Sequence, residues 1–426
     1  MRILFAVRQP NLFQQFAFPS FNVNEDYRLI DEVLENHDLV MELAKDIPDT
    51  DIGRNRTPVE QTLRFLVLRH QKNLDYRAME ETLNVNLADR WFCKINNDAP
   101  CFKTIQNQLS LIDGETVKRI NARIMGEAYK QKLTRGNKLR VDSTITKANI
   151  HYPTDVSLIA DGVRTLVRDV KRLDIAPRGL RTFSRSLKHS INRLRSLGKK
   201  AEMARRKIIQ TVIGMGKVVL RQTKDIAKDT VVKTRAILSK IIAQTETVLQ
   251  GEKPKDRVVS VFEPFVRPFR KGKAGVSCEF GVEVQVQEDE KFITNWEINS
   301  KPSDTEFFPR ALDKHRALFD KSPKNAATDR GYWSPENYER AIDAGVKNIS
   351  LPKKGYLNAE ERKRQSTSAF KRNQCYRAGG EAKISLLKRV FGLGRTRDKG
   401  ERSMARWIGG GIIACNLMTF ARLLQT

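Results

Sequence analysis

The chain has 426 residues, enough for two or three domains with a substantial core. Lys and Arg number 78 against 50 Asp and Glu, a net charge of +28, which favours a polyanionic partner over a merely soluble basic protein. A membrane protein is disfavoured: the apolar run over residues 1–7 is too short for a signal peptide, and the apolar stretch over 407–424 is broken by Gly409-Gly410-Gly411, Asn416 and Arg422, reading as a buried terminal helix.

Residues 1–57 show little periodicity beyond a helix predicted over 27–45. At Thr57 the pattern turns helical: Thr57 caps, Pro58 opens the helix, Glu60 sits in its first turn, and Leu63, Leu66 and His70 share a face. Further helices are predicted over 76–83, 88–92 and 101–111. Short helices with brief connections across 58–134 fit two readings equally. One is a helix-turn-helix cluster for the major groove of duplex DNA, and the other is a small dimerisation bundle. A longer helix over 115–133 leads to the stretch Lys138-Leu-Arg-Val141-Asp142-Ser-Thr-Ile145, which reads as a strand. An Asp there is unusual, because Asp is depleted in strands and costly to bury unpaired.

Residues 155–250 form a basic helical insertion with 22 Lys and Arg against 8 Asp and Glu, half of the whole excess. Leu194, Leu197, Ile208, Ile209, Val212, Val219 and Leu220 follow helical spacing, Pro177-Arg-Gly179 breaks the run, and Gly214 and Gly216 weaken it. The size of the excess favours contact with DNA phosphates over a solvated face, with Arg205, Arg206 and Lys207 as test positions.

The sheet resumes near Arg257. Phe280, Val282, Val284 and Val286, then Phe292, Thr294, Trp296 and Ile298, alternate across a turn at 288–291 and predict an antiparallel hairpin. A helix over 305–319 follows, with Phe308, Leu312 and His315 on one face. Next come a strand over 325–329 carrying Asp329, a helix from Pro335 with Ser334 as cap, and a strand over 348–351. A charged helix over 358–372 precedes the helix that bears Glu381. The five cysteines, Cys93, Cys101, Cys278, Cys375 and Cys415, show no Cys-x2-Cys spacing, which fits a reduced cytoplasmic compartment and not zinc. The five histidines do not cluster, and His151, the one nearest the Asp142 strand, reads as structural.

In the run 377–388, Arg377, Glu381 and Lys388 fall on nearly one helix face, since steps of four and seven approach whole turns. A carboxylate between two cations suits a divalent metal beside a phosphate. A surface helix with ion pairs fits the run alone equally well, and Asp329 before Gly331 is alone more often a turn residue.

Taken together, Asp142, Asp329 and Glu381 form an ordered Asp, Asp, Glu set. Here the sequence resembles the DDE transposases of bacterial insertion sequences, in the branch with a Tyr-x2-Arg-x3-Glu-x6-Lys signature. Arg377, Glu381 and Lys388 match that spacing, whereas Gln374 stands at the Tyr position and Tyr376 lies beside it. Other stretches are similar to the family too: 141–144, 149–155, Arg270-Lys-Gly-Lys-Ala274 with Glu279-Phe-Gly281, 329–332, 406–409 and 416–417. The resemblance runs from about residue 58 onward.

The order of elements reads as a mixed α/β, ribonuclease-H-like sheet flanked by helices. It would occupy 135–154 and 251–426, with an N-terminal segment over 1–57, a helical domain over 58–134 and the insertion over 155–250. The resemblance implies Asp142, Asp329 and Glu381 as catalytic and metal ligands for two Mg²⁺ or Mn²⁺ ions, Asp142 bridging both. Arg377 and Lys388 would clamp phosphate; Arg330, Arg395, Arg397 and Lys399 are further phosphate candidates, each fitting a plain surface charge as well. The implied function is metal-dependent cleavage of element ends and strand transfer into target DNA, by a nucleoid-associated homodimer with double-stranded DNA as partner. Two alternatives stay open: an inactive DNA-binding descendant, and a nuclease of the same fold that only hydrolyses.

Overall fold

The computed structural model describes residues 2–7, 23–49, 57–198, 201–270, 278–299 and 304–426. Seven helices come first: α1 (Glu25–Leu34), α2 (His37–Ala44), α3 (Val59–Gln71), α4 (Tyr76–Val85), α5 (Leu87–Phe92), α6 (Phe102–Leu111) and α7 (Gly114–Lys130). Strand β1 (Lys138–Lys147) follows, then α8 (Asp155–Arg172), α9 (Ser184–Ser196), α10 (Glu202–Gln222) and α11 (Asp229–Leu249). Next are β2 (Arg267–Phe269), β3 (Glu279–Asp289), β4 (Phe292–Asn299), α12 (Asp304–Phe319), β5 (Asn325–Ala327), α13 (Pro335–Asp343) and β6 (Asn348–Ser350). The last elements are α14 (Ala359–Ser366), α15 (Ser368–Arg389) and α16 (Glu401–Leu424). The fold class is mixed α/β. Two units divide the chain, 1–147 with 283–426, and 148–282. Residues 58–134 therefore lie in the first unit.

In the first unit the strands run in the order β4-β3-β1-β5-β6. The hairpin is antiparallel, with Val286 opposite Trp296, while β5 is parallel to both β1 and β6. One side chain in two along β1 faces each side of the sheet. Leu139 and Val141 enter a core with Phe307, Phe308 and Leu312 of α12 and Ala341 of α13. Arg140, two residues before Asp142, turns instead to α15, with its guanidinium 4.7 Å from the Tyr376 ring.

Two local expectations change. The helix predicted over 27–45 is two helices, because Asn36 accepts the Asp38 amide and starts a new one. Thr57 does not cap α3. The Val59 and Glu60 amides donate to the carbonyls of Ile3 and Leu4 at 2.9 and 3.0 Å, so backbone supplies what a side chain was predicted to supply. The buried terminal helix read over 407–424 is α16, and its Gly409-Gly410-Gly411 run serves packing. A Cβ at 409 would meet Val117 of α7 at 2.5 Å, one at 410 would meet His70 of α3 at 2.6 Å, and one at 411 would meet Leu393 at 2.6 Å. These glycines let three elements close on one helix. Among the described residues α16 is the one helix long and apolar enough to cross a membrane, and most of it is buried within the protein. All five cysteines are free thiols.

The second unit is built on α8, α10 and α11. Ile159, Val163, Leu166 and Val170 pack against Val212, Val219, Leu238 and Ile242. Gly216, which weakens the helix pattern in sequence, instead allows α10 to meet Ile242 and Ile159. β2 pairs antiparallel with the first residues of β3, Arg267 opposite Gly281. The predicted resumption of the sheet at 257 thus begins ten residues later, at Arg267. The stretch 271–274 noted in the sequence lies outside the described residues.

Candidate active site

The parallel pairing of β1 with β5 sets Lys138 opposite Asn325 and Arg140 opposite Ala327. Continuing that register two residues would bring Asp329 opposite Asp142, but the strand predicted over 325–329 stops at Ala327. Asp329 therefore lies two residues past the end of β5, while Asp142 sits within β1; the negative charge of Asp329 acts on the Asp142 carboxyl. Each is held by a backbone amide. Ser143 N donates to Asp142 Oδ1 at 2.8 Å, and Gly331 N donates to Asp329 Oδ1 at 2.7 Å. A Cβ at Gly331 would press on Asp304 Oδ2, so the glycine leaves that carboxylate its place at the turn.

The third carboxylate arrives on α15. Arg377 reaches both sides: its guanidinium lies 3.8 Å from Asp142 Oδ2 and 3.2 Å from Glu381 Oε1. Glu381 is mostly exposed, while Asp142 and Arg377 are half-buried or deeper.

Helix and strand are fastened by Arg140, which sequence reasoning did not single out. Its guanidinium forms a buried ion pair with Glu288 of β3 and donates to the Tyr376 carbonyl at 2.8 Å. The Tyr376 hydroxyl in turn accepts the Glu290 amide at 3.0 Å. A Cβ at Gly379 would come within 3.1 Å of Arg140 and one at Gly380 within 3.3 Å, so this glycine pair gives the guanidinium its place against the helix. An Arg in an apolar strand, two residues before a candidate ligand, was the signal available in the sequence. Gln374 fills the signature Tyr position differently. Its amide donates to the Ser350 carbonyl at 3.0 Å, to Ser350 Oγ at 2.9 Å and to the Thr328 carbonyl at 3.3 Å, beside Asp329.

The electrostatics call for positive charge. Burial pushes the Asp142 carboxyl up, the Ser143 amide and Arg377 pull it down, and the negative charges of Asp329 and Glu381 push it up again. Tyr332 is wholly buried, and among the described residues its hydroxyl has no hydrogen-bond partner. Burial holds it protonated, and Asp304, Asp142, Asp329 and Glu283 add to that effect. Oxygen donors that repel one another and are partly desolvated suit a hard divalent cation. The residues present therefore fit such an ion. Among the described residues, however, no three Asp, Glu, His or Cys side chains are already gathered as a ligand set.

The outlying cations are dispersed. Arg330 is exposed next to Asp329. Lys388 follows Glu381 by seven residues on α15, and its carbonyl lies against Gly394. The segment after Gly394 joins the end of β1 through Thr396 N to Lys147 O at 2.9 Å. In it Arg395, Arg397 and Lys399 are exposed and alternate with buried Thr396 and Asp398. Arg397 lies 3.8 Å from Asp75, and Asp398 anchors the segment through Arg69 at 2.7 and 3.0 Å.

In the insertion, two sequence candidates are committed to the fold. Arg205 donates to the carbonyls of Leu197 and Gly198 at 2.9 and 3.1 Å, and Arg206 donates to the Leu249 carbonyl. His151 is exposed and pairs with Asp161 at 3.2 Å.

Residues 18–110 match the family model described as "Transposase domain (DUF772)". The match supports a transposase-type protein. No curated protein and no solved structure matches the chain. The matched residues include α1 to α6 of the first unit. Of these, α3 is buried on nearly every side, while α6 exposes Lys103, Asn107 and Ser110.

Proposed function

We propose that the protein is a DNA transposase that cuts element ends and joins them to target DNA, with Asp142, Asp329 and Glu381 as its catalytic carboxylates. The observation that carries the reading is the nearness of Asp329, two residues past the end of β5, to Asp142 of the paired parallel strand β1, with Arg377 linking Asp142 to Glu381 of α15. The strand order β4-β3-β1-β5-β6, with the last two parallel to β1, supports a ribonuclease-H-like domain. The transposase-domain match over 18–110 supports DNA as the partner.

The three carboxylates would hold one or two Mg²⁺ or Mn²⁺ ions. When bound, such ions supply Lewis-acid activation of a water or 3′-hydroxyl and stabilise the leaving oxygen. The protein's own groups do the positioning. Asp142 and Asp329 are fixed by backbone amides, so their oxygens need little reorganisation. Arg377 sits where the negative phosphate would enter, and its planar fork suits phosphate oxygens. Lys388, Arg330, Arg395, Arg397 and Lys399 would hold DNA further along, and the exposed face of α6 would contact the duplex.

The test uses DNA carrying the repeats that flank the protein's own coding sequence. Asp142→Asn, Asp329→Asn and Glu381→Gln should each abolish Mg²⁺-dependent cleavage and leave DNA binding intact, because binding rests on Lys and Arg elsewhere. Near-normal cleavage by any one variant removes that residue from the site. Joined products separate a transposase from a nuclease that only hydrolyses, and any cleavage by the natural chain rules out the inactive descendant.

A further inference from the structure

We infer that the second unit holds a DNA duplex by its phosphates in an open groove between the last turns of α8 and the start of α9. The inference rests on the proposed DNA-handling function and assigns it a surface. The groove encloses about 630 Å³ and is lined by Arg164, Arg168, Lys171 and Arg172, with the hydroxyls of Thr182 and Ser184 opposite.

The four cations recur at helical spacing, so they share one face of α8. The other face, with Val163, Leu166 and Val170, is buried in the unit's core. The cations are thus directed outward by the same packing that folds the helix. Two of them are also held in place. Arg164 pairs with the buried Asp161, and Arg168 pairs with the buried Asp169 at 3.1 Å. Thr234 of α11 donates to the other Asp169 oxygen at 3.0 Å, which fixes that carboxylate in turn. Both arginines keep more than half of their side chains exposed, 58% and 63%. No ion pair among the described residues occupies Lys171 or Arg172.

The chemistry of the lining selects the ligand. Beside Val167, the lining holds four cations and two hydroxyl residues, and these are the groups that contact nucleic-acid phosphates. The charge continues beyond the groove: residues 161–196 carry ten Lys and Arg against three Asp. Arg178, Arg181, Arg185 and Lys188 among them are exposed. A strip of this kind tracks a polyanionic backbone and carries no base-reading pattern, so it should bind without sequence preference.

The experiment measures binding of the full chain to a 30-base-pair duplex of arbitrary sequence by fluorescence anisotropy, in EDTA, across a KCl series. Lys171→Gln/Arg172→Gln is compared with Lys253→Gln/Lys255→Gln, which removes the same charge from exposed positions outside the groove. Each lost phosphate contact lowers the slope of log K against log salt by about 0.9. The groove pair should flatten the slope by about 1.8 and the control pair should leave it unchanged. All four positions are exposed, and far-UV circular dichroism confirms folding of each variant. An unchanged slope for the groove pair, or equal flattening by both pairs, overturns the groove. Because EDTA removes metal-dependent cleavage from the assay, a chain that cuts nothing can still pass this test, and a chain that cuts can still fail it.

Discussion

Replacing Arg140 tests whether the buried ion pair beneath the site is a fastening or an ornament. In Arg140→Leu the helix loses its bond to the Tyr376 carbonyl, and Glu288 is left as a fully buried carboxylate without its partner. Breaking a buried pair from one side costs about 3–5 kcal/mol, because the remaining charge is uncompensated. Removing both charges, as in Arg140→Leu/Glu288→Met, should restore most of that and leave about 1 kcal/mol for the lost carbonyl bond. The loss has a pH signature. Burial holds the Glu288 carboxyl above its ordinary value of 4.5 even with Arg140 present, against the pull of that guanidinium. The folded chain therefore binds more protons there than the unfolded one, and stability falls as pH rises past 4.5. Without Arg140 the carboxyl rises further, so the deficit of the single variant should be smallest near pH 5 and grow towards pH 8. All four tryptophans, Trp91, Trp296, Trp333 and Trp407, lie in the first unit, so tryptophan fluorescence in urea reports that unit alone. A single variant that loses under 1 kcal/mol, or a double variant no more stable than the single one, would refute the reasoning.

Gln374→Leu should cost about 1–2 kcal/mol in the same urea assay, since its amide ties α15 to the ends of β5 and β6. It should also lower the cleavage rate more than DNA affinity, and equal loss in both would contradict the positioning role. Gly410→Ala should destabilise the first unit by about 1–3 kcal/mol, as its Cβ would press on the His70 ring and Leu66; a stability within error of the natural chain would show that the contact relaxes freely. His70 is pulled down to about 3, first by burial and then by the Arg69 charge, and so stays neutral in the folded chain. The unfolded chain takes up that proton near 6.5, so stability should fall below pH 6.5 by about 1.4 kcal/mol per unit. His70→Asn should flatten this acid slope between pH 6.5 and 5, and an unaltered slope would assign the effect to other groups.

The elements around the site were readable where periodicity is strict. The hairpin of β3 and β4 alternates cleanly, and the β1 stretch with its odd aspartate stands out against its apolar neighbours. The signature spacing on α15 is a local pattern, and so it is visible in one dimension. Arg140 was hidden because its partners, Glu288 and Tyr376, lie 148 and 236 residues away. Thr57 misled for a similar reason. The carbonyls of Ile3 and Leu4 compete for the same amides from more than fifty residues upstream. The glycine run in α16 interrupts the apolar stretch in sequence, and propensity counts only the cost of glycine within a helix. What decides the matter is the space that three packed neighbours require.

The closure of α3, α7 and the hairpin on α16 has a consequence for synthesis. Residues 59–71 leave the ribosome long before residues 401–424, the helix they pack against. At about 5–20 residues per second, that interval is on the order of half a minute. Through it, the apolar sides of α3 have no α16 to cover them, and the Arg69 guanidinium has no Asp398. The second unit, in contrast, is one continuous stretch, and its four helices are complete within the span 148–282. The nascent chain would thus carry a folded basic unit before α15, the helix that brings Glu381, has been made. In the proposed function, the carboxylate set waits for residue 381, whereas the proposed phosphate groove needs only residues up to Ser184.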